Sequence, residues 1–280
     1  MARARCRQLR DGPKEEPAGP GEDVVQTAVD QRAEMSAQPQ PRFLVLFDFD
    51  ETLVNENSDD AVLQALPGQQ LPDWLKSGYR EGHYNEHMQQ ILAYMAERGV
   101  SRDAIRSAVE SIPPAPGALA LLHFLQGHQR DFELAVVSDA NMYFIDTWLK
   151  CAGVRHLFRK IFTNPASFDA GGRLVLLPFH AHSCPRCPDN MCKQVILREY
   201  LALRQKERGA PFQQVFYVGD GANDMCPSLA LGPRDTVFPR KDFPMHALLK
   251  SEGAKFKANV VPWTSGQDVM NCLEKIAEER

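Results

Sequence analysis

The sequence predicts an α/β protein: a parallel sheet flanked by helices on both faces, with a small helical segment inserted after the first strand. Three observations lead there. Short apolar runs alternate with helical periodicity from Arg42 onward, as in Phe43 to Phe47, Phe132 to Val137 and Val215 to Val218. Phe43 to Phe47 is apolar throughout rather than alternating, and the other two are largely so, as for strands buried on both faces. Each also ends in a polar cluster, and the carboxyl ends of buried strands are where α/β proteins place their sites.

The elements follow in order. Residues 1–41 are rich in Pro, Gly, Glu, Gln and Ala and poor in aromatics, so they read as a disordered arm. Phe43 to Phe47 is the first strand. Residues 55–114 then show helices and no good strand, and read as a cap. Ser58 is placed to cap a helix through Ala65, Tyr84 to Arg98 carries Met88, Ile91, Leu92 and Met95 on one face, and Ser101 caps a helix running to Ile112. Pro113, Pro114 and Pro116 close the insertion, with hinges expected near Val54–Asn57 and Pro113–Gly117. The core therefore comprises 42–54 and 115–280. It continues with a helix at Leu119–Gln126, the strand from Phe132, a helix at Asn141–Ala152, and two short strands (Ile161–Thr163 and Arg173–Phe179) joined across Asp169–Gly172. A helix from Lys193 through Arg204 and the strand Val215–Val218 come next. Last are shorter pieces at Thr236–Phe238, Met245–Lys250, Val260–Trp263 and Asp268–Glu278.

Composition narrows the function classes. A net charge of −4 gives no electrostatic case for nucleic acid or a membrane surface as main partner. No apolar run is long enough to cross a bilayer, so no stable membrane insertion is expected. The basic start has no apolar stretch after it and does not read as a secretory signal. Acids at Asp11, Glu15 and Glu16 argue against a mitochondrial presequence despite Arg3, Arg5, Arg7 and Arg10. Seven cysteines without a signal point to thiols or a metal in the cytoplasm rather than a disulfide scaffold.

Four clusters carry chemistry. Asp48 and Asp50 stand two apart at the end of the first strand, so both carboxylates can face one way, with Thr52 just beyond. Ser138 ends the second strand. Lys193 starts a helix, where a cation opposes the dipole unless an anion is held there too. Asp220, Asn223 and Asp224 lie in G-D-G-A-N-D after the third long strand, where glycines allow a sharp turn and acidic oxygens suit hard Mg²⁺.

This order (D-x-D-x-T, strand-end Ser, helix-start Lys, G-D-G-x-N-D) resembles the haloacid dehalogenase superfamily of aspartate-dependent phosphatases, over residues 42 to about 265. The resemblance implies a Rossmann-like core with an inserted C1-type cap. It makes Asp48 the nucleophile, Asp50 the general acid and base, and Thr52 an orienting residue. Ser138 and Lys193 would hold phosphate, and Mg²⁺ would sit on Asp48, the Asp50 carbonyl and Asp220. Asp224 would be a ligand through water or an orienter, with Asn223 beside it.

Finer likeness comes from DFDETLVNENSDD, SDAN (138–141), HAHSCPRCPDNMCK (180–193) and VGDGANDMCP. Together these resemble the vertebrate phosphoethanolamine/phosphocholine phosphatases, and more loosely the pyridoxal phosphate phosphatases. Phosphoserine remains an alternative substrate. The resemblance implies a small phosphorylated amino-alcohol as substrate and a link to mineralisation, in part inside vesicles. A cationic headgroup calls for extra acids, and Asp59 and Asp139 are the candidates. Asp59 also fits an ordinary helix first turn, and Asp139 could cap the helix beginning near Asn141. Trp74, Tyr79 and Tyr84 are aromatic candidates within the cap.

His180, His182, Cys184, Cys187 and Cys192 fall within thirteen residues, just before Lys193. The spacing suits a structural zinc, a redox thiol pair or a simple packed loop. A zinc-holding interaction protein without catalysis is the non-enzymatic alternative. Cys151, Cys226 and Cys272 read as core or near-core thiols.

Overall fold

The computed structural model describes residues 40–252 and 256–278. The expected arm therefore lies, apart from its last two residues, outside the described residues. One six-stranded, wholly parallel sheet runs in the order β3-β2-β1-β6-β7-β8. Its strands are β1 (Phe43–Phe47), β2 (Phe132–Asn141), β3 (Phe158–Asn164), β6 (Gln214–Gly219), β7 (Thr236–Pro239) and β8 (Asn259–Val260). The central strand shows why its sequence is unbroken apolar. Phe43, Val45 and Phe47 enter the core on one face of the sheet, and Leu44 and Leu46 enter the core on the other. Each such side chain contributes about 1.5–3 kcal/mol of burial.

Register fixes the site. Phe47 lies level with Val136 of β2 and Val218 of β6. Asp48, Ser138 and Asp220 consequently emerge at the same edge of the sheet. Past Asp48 the chain turns at once: the amides of Thr52, Leu53 and Val54 all donate to Phe49 O. Phe49 itself is buried edge-on to Trp148, with ring centroids 5.9 Å apart.

Between β1 and β2 come α1 (Ser58–Ala61), α2 (Asp73–Lys76), α3 (Tyr84–Glu97), α4 (Arg102–Glu110) and α5 (Ala118–Gly127). The first of these corrects the expected cap. Asn57, not Ser58, caps α1, its carboxamide oxygen accepting from Asp59 N and Asp60 N. Beyond Ala61 the helix tightens into a 3₁₀ turn. The face of α3 is as expected, with Met88, Ile91, Leu92 and Met95 buried. The chain leaves and re-enters the sheet layer through a two-stranded neck. Asn55 N donates to Pro113 O at 2.8 Å, Ala115 N donates to Leu53 O at 3.0 Å, and Val54 pairs with Pro114.

A second correction concerns the short strands. Ile161–Thr163 does not pair with the segment after Gly172; it belongs to β3 in the parallel sheet. The hairpin is β4 (Ala166–Phe168) with β5 (Leu174–Leu176). Pro165, which has no N–H to donate, separates β3 from β4. Asp169 Oδ1 closes the turn by accepting from Gly171 N and Arg173 N. Gln89 of α3 then occupies the hairpin's free edge, giving its amide to Leu174 O and accepting from Leu176 N.

The remaining helices are α6 (Met142–Cys151), α7 (Lys193–Arg208), α8 (Met225–Ser228), α9 (Pro244–Glu252) and α10 (Gly266–Glu278). Asn141 caps α6, so Asp139 is released from that role. α7 runs four residues past the expected end and stops at Gly209, whose φ of 76° is the left-handed conformation glycine tolerates. One charged group lies deep under this helix. Glu133 is buried, and Arg204 donates to both its carboxylate oxygens, at 2.8 and 2.6 Å. Tyr200 donates to Oε1 at 2.6 Å.

Candidate active site

The carboxyl edge of the sheet gathers the predicted residues around a cavity of about 650 Å³. Asp48, Asp50, Asp59, Asp139, Asp220 and Asn223 line it, together with Glu51, Glu81, Tyr79, Tyr84 and Arg186. Ser138 and Lys193 are buried close behind these residues.

Lys193 is the centre of the arrangement. It begins α7 yet is only 2% exposed, because its side chain runs inward rather than into solvent. Its Nζ donates to Asp48 Oδ2 at 2.7 Å and to Asp224 Oδ1 at 2.8 Å. Burial works against the ammonium, but the charges of Asp224 and Asp48 outweigh it and hold the pKa well above the usual value.

Asp224 has a role the sequence left open. Its carboxylate is fully buried and accepts from four donors: Lys193 Nζ, the Tyr217 hydroxyl at 2.7 Å, Asp220 N and Gly221 N. It therefore folds the G-D-G-A-N-D turn back on itself and anchors the lysine. Any side chain at Gly219 would collide with Asp224, since a Cβ there would lie 2.4 Å from its Oδ2. Tyr217 was missed in the sequence because it sits inside a strand that reads as apolar core.

The acids repel one another. Burial, followed by the charge of Asp224, pushes Asp48 well above the carboxylate range. The same two causes push Asp220 up to about 8. Burial pushes Asp50 up to about 7, against hydrogen bonding from Ser58, whose amide donates to Asp50 Oδ1 at 2.9 Å. Carboxylate oxygens of Asp48, Asp220 and Asp224 lie within 4.8 Å of one another. An all-oxygen cluster whose charges repel suits a hard divalent cation. Asp224 is occupied by four donors, whereas among the described residues Asp48 accepts from Lys193 Nζ and Phe49 N and Asp220 from Thr52 alone, which leaves these two the better placed to share one.

One expected detail changes. The Thr52 hydroxyl donates to Asp220 Oδ1 at 3.2 Å rather than to the Asp48–Asp50 pair, linking the first motif to the last. The Ser138 hydroxyl accepts from Ala140 N at 3.3 Å, within the turn that follows β2. Arg240 is a further contributor with no motif to announce it. It donates to the carbonyl and carboxylate of Glu51, and to Asn55, bracing the turn after Asp50 where Glu51 takes a φ of 52°.

On the same cavity, Asp59 is 6% exposed, and its Oδ1 has no hydrogen-bond partner. Burial, then the charges of Asp50 and Asp139, raise its pKa well above the usual value. Tyr79 and Tyr84 meet edge-on at 5.9 Å on the same cavity wall. Trp74 is 63% exposed and packs edge-on against Tyr94; it is not among the cavity-lining residues.

Comparison with known proteins adds the family. A family model described as "Putative Phosphatase" matches residues 43–277. The chain belongs to this phosphatase family. Within it, "Probable phosphatase phospho1" of Danio rerio is 57% identical over 259 residues, covering 90% of this chain and 93% of that protein. "Phosphoethanolamine/phosphocholine phosphatase" of Homo sapiens is 48% identical over 246 residues, covering 86% and 92%. "Pyridoxal phosphate phosphatase PHOSPHO2" of Homo sapiens is 36% identical, covering 85% and 100%. Among solved structures, a phospho-aspartyl intermediate analogue of phosphoserine phosphatase overlays with a TM-score of 0.53 at 20% identity, covering 85% of this chain and 99% of that one. That likeness establishes the haloacid dehalogenase fold. Among the described residues of this family member, no helix is long and apolar enough to cross a membrane.

Proposed function

We propose that this phosphatase hydrolyses phosphoethanolamine and phosphocholine. One observation carries the choice of substrate: a buried carboxylate, Asp59, with an unpartnered oxygen on the same cavity that Asp48 enters. An unsatisfied buried acid costs stability unless a ligand completes it. A quaternary or primary ammonium does so, with Asp139 adding a second charge and the Tyr79 and Tyr84 faces offering cation–π contact. Pyridoxal phosphate brings no alkylammonium to these acids, its ring cation being balanced by its own phenolate oxygen. The stronger identity to the phosphocholine-named relative than to the pyridoxal-named one supports the same choice.

The proposed mechanism follows from positions. Asp48 attacks phosphorus, forming an aspartyl phosphate as the alkoxide departs. Asp50 gives that alkoxide a proton and later takes one from the attacking water, a task suited to a carboxyl held near neutral pH. Lys193 neutralises the phosphoryl oxygens, and the Ser138 hydroxyl and nearby amides add donors. Mg²⁺, when bound, would be held by Asp48, Asp220 and the main-chain carbonyl of Asp50, and would neutralise charge between the carboxylate and the phosphate. Thr52 keeps Asp220 turned toward that position, while Asp224 and Asn223 shape the loop. Residues 55–114 form the cap that closes over the headgroup, with the Leu53–Ala115 and Asn55–Pro113 hydrogen bonds as its neck. Phosphate released this way would serve mineralisation, in the cytoplasm or within vesicles, as the family resemblance implies.

A panel of phosphoethanolamine, phosphocholine, pyridoxal phosphate and phosphoserine tests the assignment. The two amino-alcohol esters should exceed the others in kcat/KM by at least about tenfold. A preference for pyridoxal phosphate or phosphoserine would overturn it.

A further inference from the structure

The loop before Lys193 holds a second constellation that the phosphatase reaction does not use. Cys184, Cys187 and Cys192 converge on Cys226, which stands in α8 two residues after Asp224. All four sulfurs lie within 4.8 Å of one another, and Cys184 Sγ is 3.6 Å from Cys226 Sγ. None is in a disulfide. A zinc ion with Zn–S bonds of about 2.3 Å in tetrahedral geometry requires S···S edges of about 3.8 Å. The observed spacing is thus that of a tetrahedral edge, far beyond the roughly 2.05 Å of an S–S bond.

We propose that Cys184, Cys187, Cys192 and Cys226 bind one structural zinc ion. Four thiolates and no open position make a closed site, and soft sulfur separates it from the oxygen-lined Asp48–Asp220 position. The neighbouring histidines are not ligands. His182 accepts from Cys184 N at its Nδ1 and contacts Pro188 O through Nε2, and His180 Nε2 accepts from Cys192 N. They hold the backbone of the ligand loop instead.

The position explains why the ion would be needed. No helix or strand occurs from Leu177 through Cys192. A segment this long without secondary structure needs another source of order. Pro185, Arg186, Cys187 and Pro188 of this segment form one wall of the active-site cavity. Cys192 immediately precedes Lys193, and Cys226 follows Asp224 closely, so the ion would clamp both sides of the Lys193–Asp224 ion pair from outside. Gln194 reinforces the clasp by donating to Cys226 O at 2.8 Å.

The test is metal analysis of the full chain, produced without a histidine tag in zinc-supplemented medium and dialysed into magnesium buffer. One zinc per chain is expected, released by an organomercurial in step with modification of four thiols. Cys187→Ser and Cys226→Ser should lower bound zinc at least about tenfold. Cys151→Ser and Cys272→Ser, outside the cluster, should leave it unchanged. If the ligand variants fail to fold, stoichiometry and thiol-linked release from the unmodified protein still decide. Zinc below about 0.1 per chain, zinc release that does not follow thiol modification, or a Cys184–Cys226 disulfide in the purified protein would overturn the proposal.

Discussion

Lys193 donates to Asp48 at 2.7 Å from a position 145 residues away in sequence, and both side chains are almost completely buried. The contact sets the ground state of the site. In the mechanism proposed above, the ammonium holds the carboxylate that would attack and stands ready to meet phosphoryl oxygens. Lys193→Met should therefore lower kcat about 10²–10³-fold, the cost of removing one charge-stabilising donor. Steady-state kinetics with phosphocholine at saturating Mg²⁺ checks this. A loss confined to KM would show that the lysine only gathers substrate.

Asp59 and Asp139 are expected to act on the headgroup and not on the phosphate. Asp59→Asn and Asp139→Asn should each raise KM for phosphoethanolamine and phosphocholine about tenfold or more, as a charge-assisted contact is lost. A neutral phosphate ester should be affected far less. Equal losses on charged and neutral substrates would place both residues in folding instead.

The buried Glu133–Arg204 pair offers a stability prediction remote from the site. Arg204→Ala leaves a carboxylate inside the protein with only the Tyr200 hydroxyl and a distant Arg159 for company. Breaking such a pair costs about 3–5 kcal/mol. Urea unfolding should show it as a lower midpoint, while replacing the exposed Arg106 should shift the midpoint by about 0–1 kcal/mol equivalent.

Asp268 gives a pH-dependent signature. Its carboxylate reaches back over the first turn of α10, accepting from Thr264 N, the Thr264 hydroxyl and Ser265 N. The Thr264 hydrogen bonds hold its pKa below the ordinary value. A carboxyl depressed on folding stabilises at pH above its unfolded pKa of about 3.9, and that contribution disappears as pH falls through the folded value. Asp268→Ala should thus cost a few tenths of a kcal/mol up to about 1 kcal/mol at pH 7, as solvent screens this partly exposed carboxylate. The gap between variant and parent should narrow as pH drops from about 5 toward 2. Thermal melts across that range check the sign.

Which of these features the sequence disclosed depends on how local they are. Asp48, Asp50 and Asp220 were legible because each follows a strand whose unbroken apolar run marks it as central, and register then brings the strand ends level. Tyr217 and Arg240 were not, since one looks like core and the other like surface, and only folding shows their partners. Cys226 reads as a core or near-core thiol and is buried, but the thirty-odd residues between it and Cys192 conceal its approach to the other cysteines; Cys151, given the same reading, is exposed. Sequence pattern pairs Ile161–Thr163 with the segment after Gly172 because Arg159 and Lys160 cut short the apolar run of β3, the edge strand of the sheet, and the three-residue β4 carries too little pattern of its own.

The most direct test of the central claim is to identify the phosphorylated residue. An Asp50→Asn variant given p-nitrophenyl phosphate, whose leaving group needs no acid, should accumulate the acyl phosphate because water activation is lost. Rapid quenching and borohydride reduction would convert the phosphorylated aspartate to homoserine, located by peptide mass mapping. Homoserine at Asp48, absent from Asp48→Asn protein, is the result predicted. Homoserine elsewhere, or undiminished turnover in Asp48→Asn with no modified residue, would contradict it.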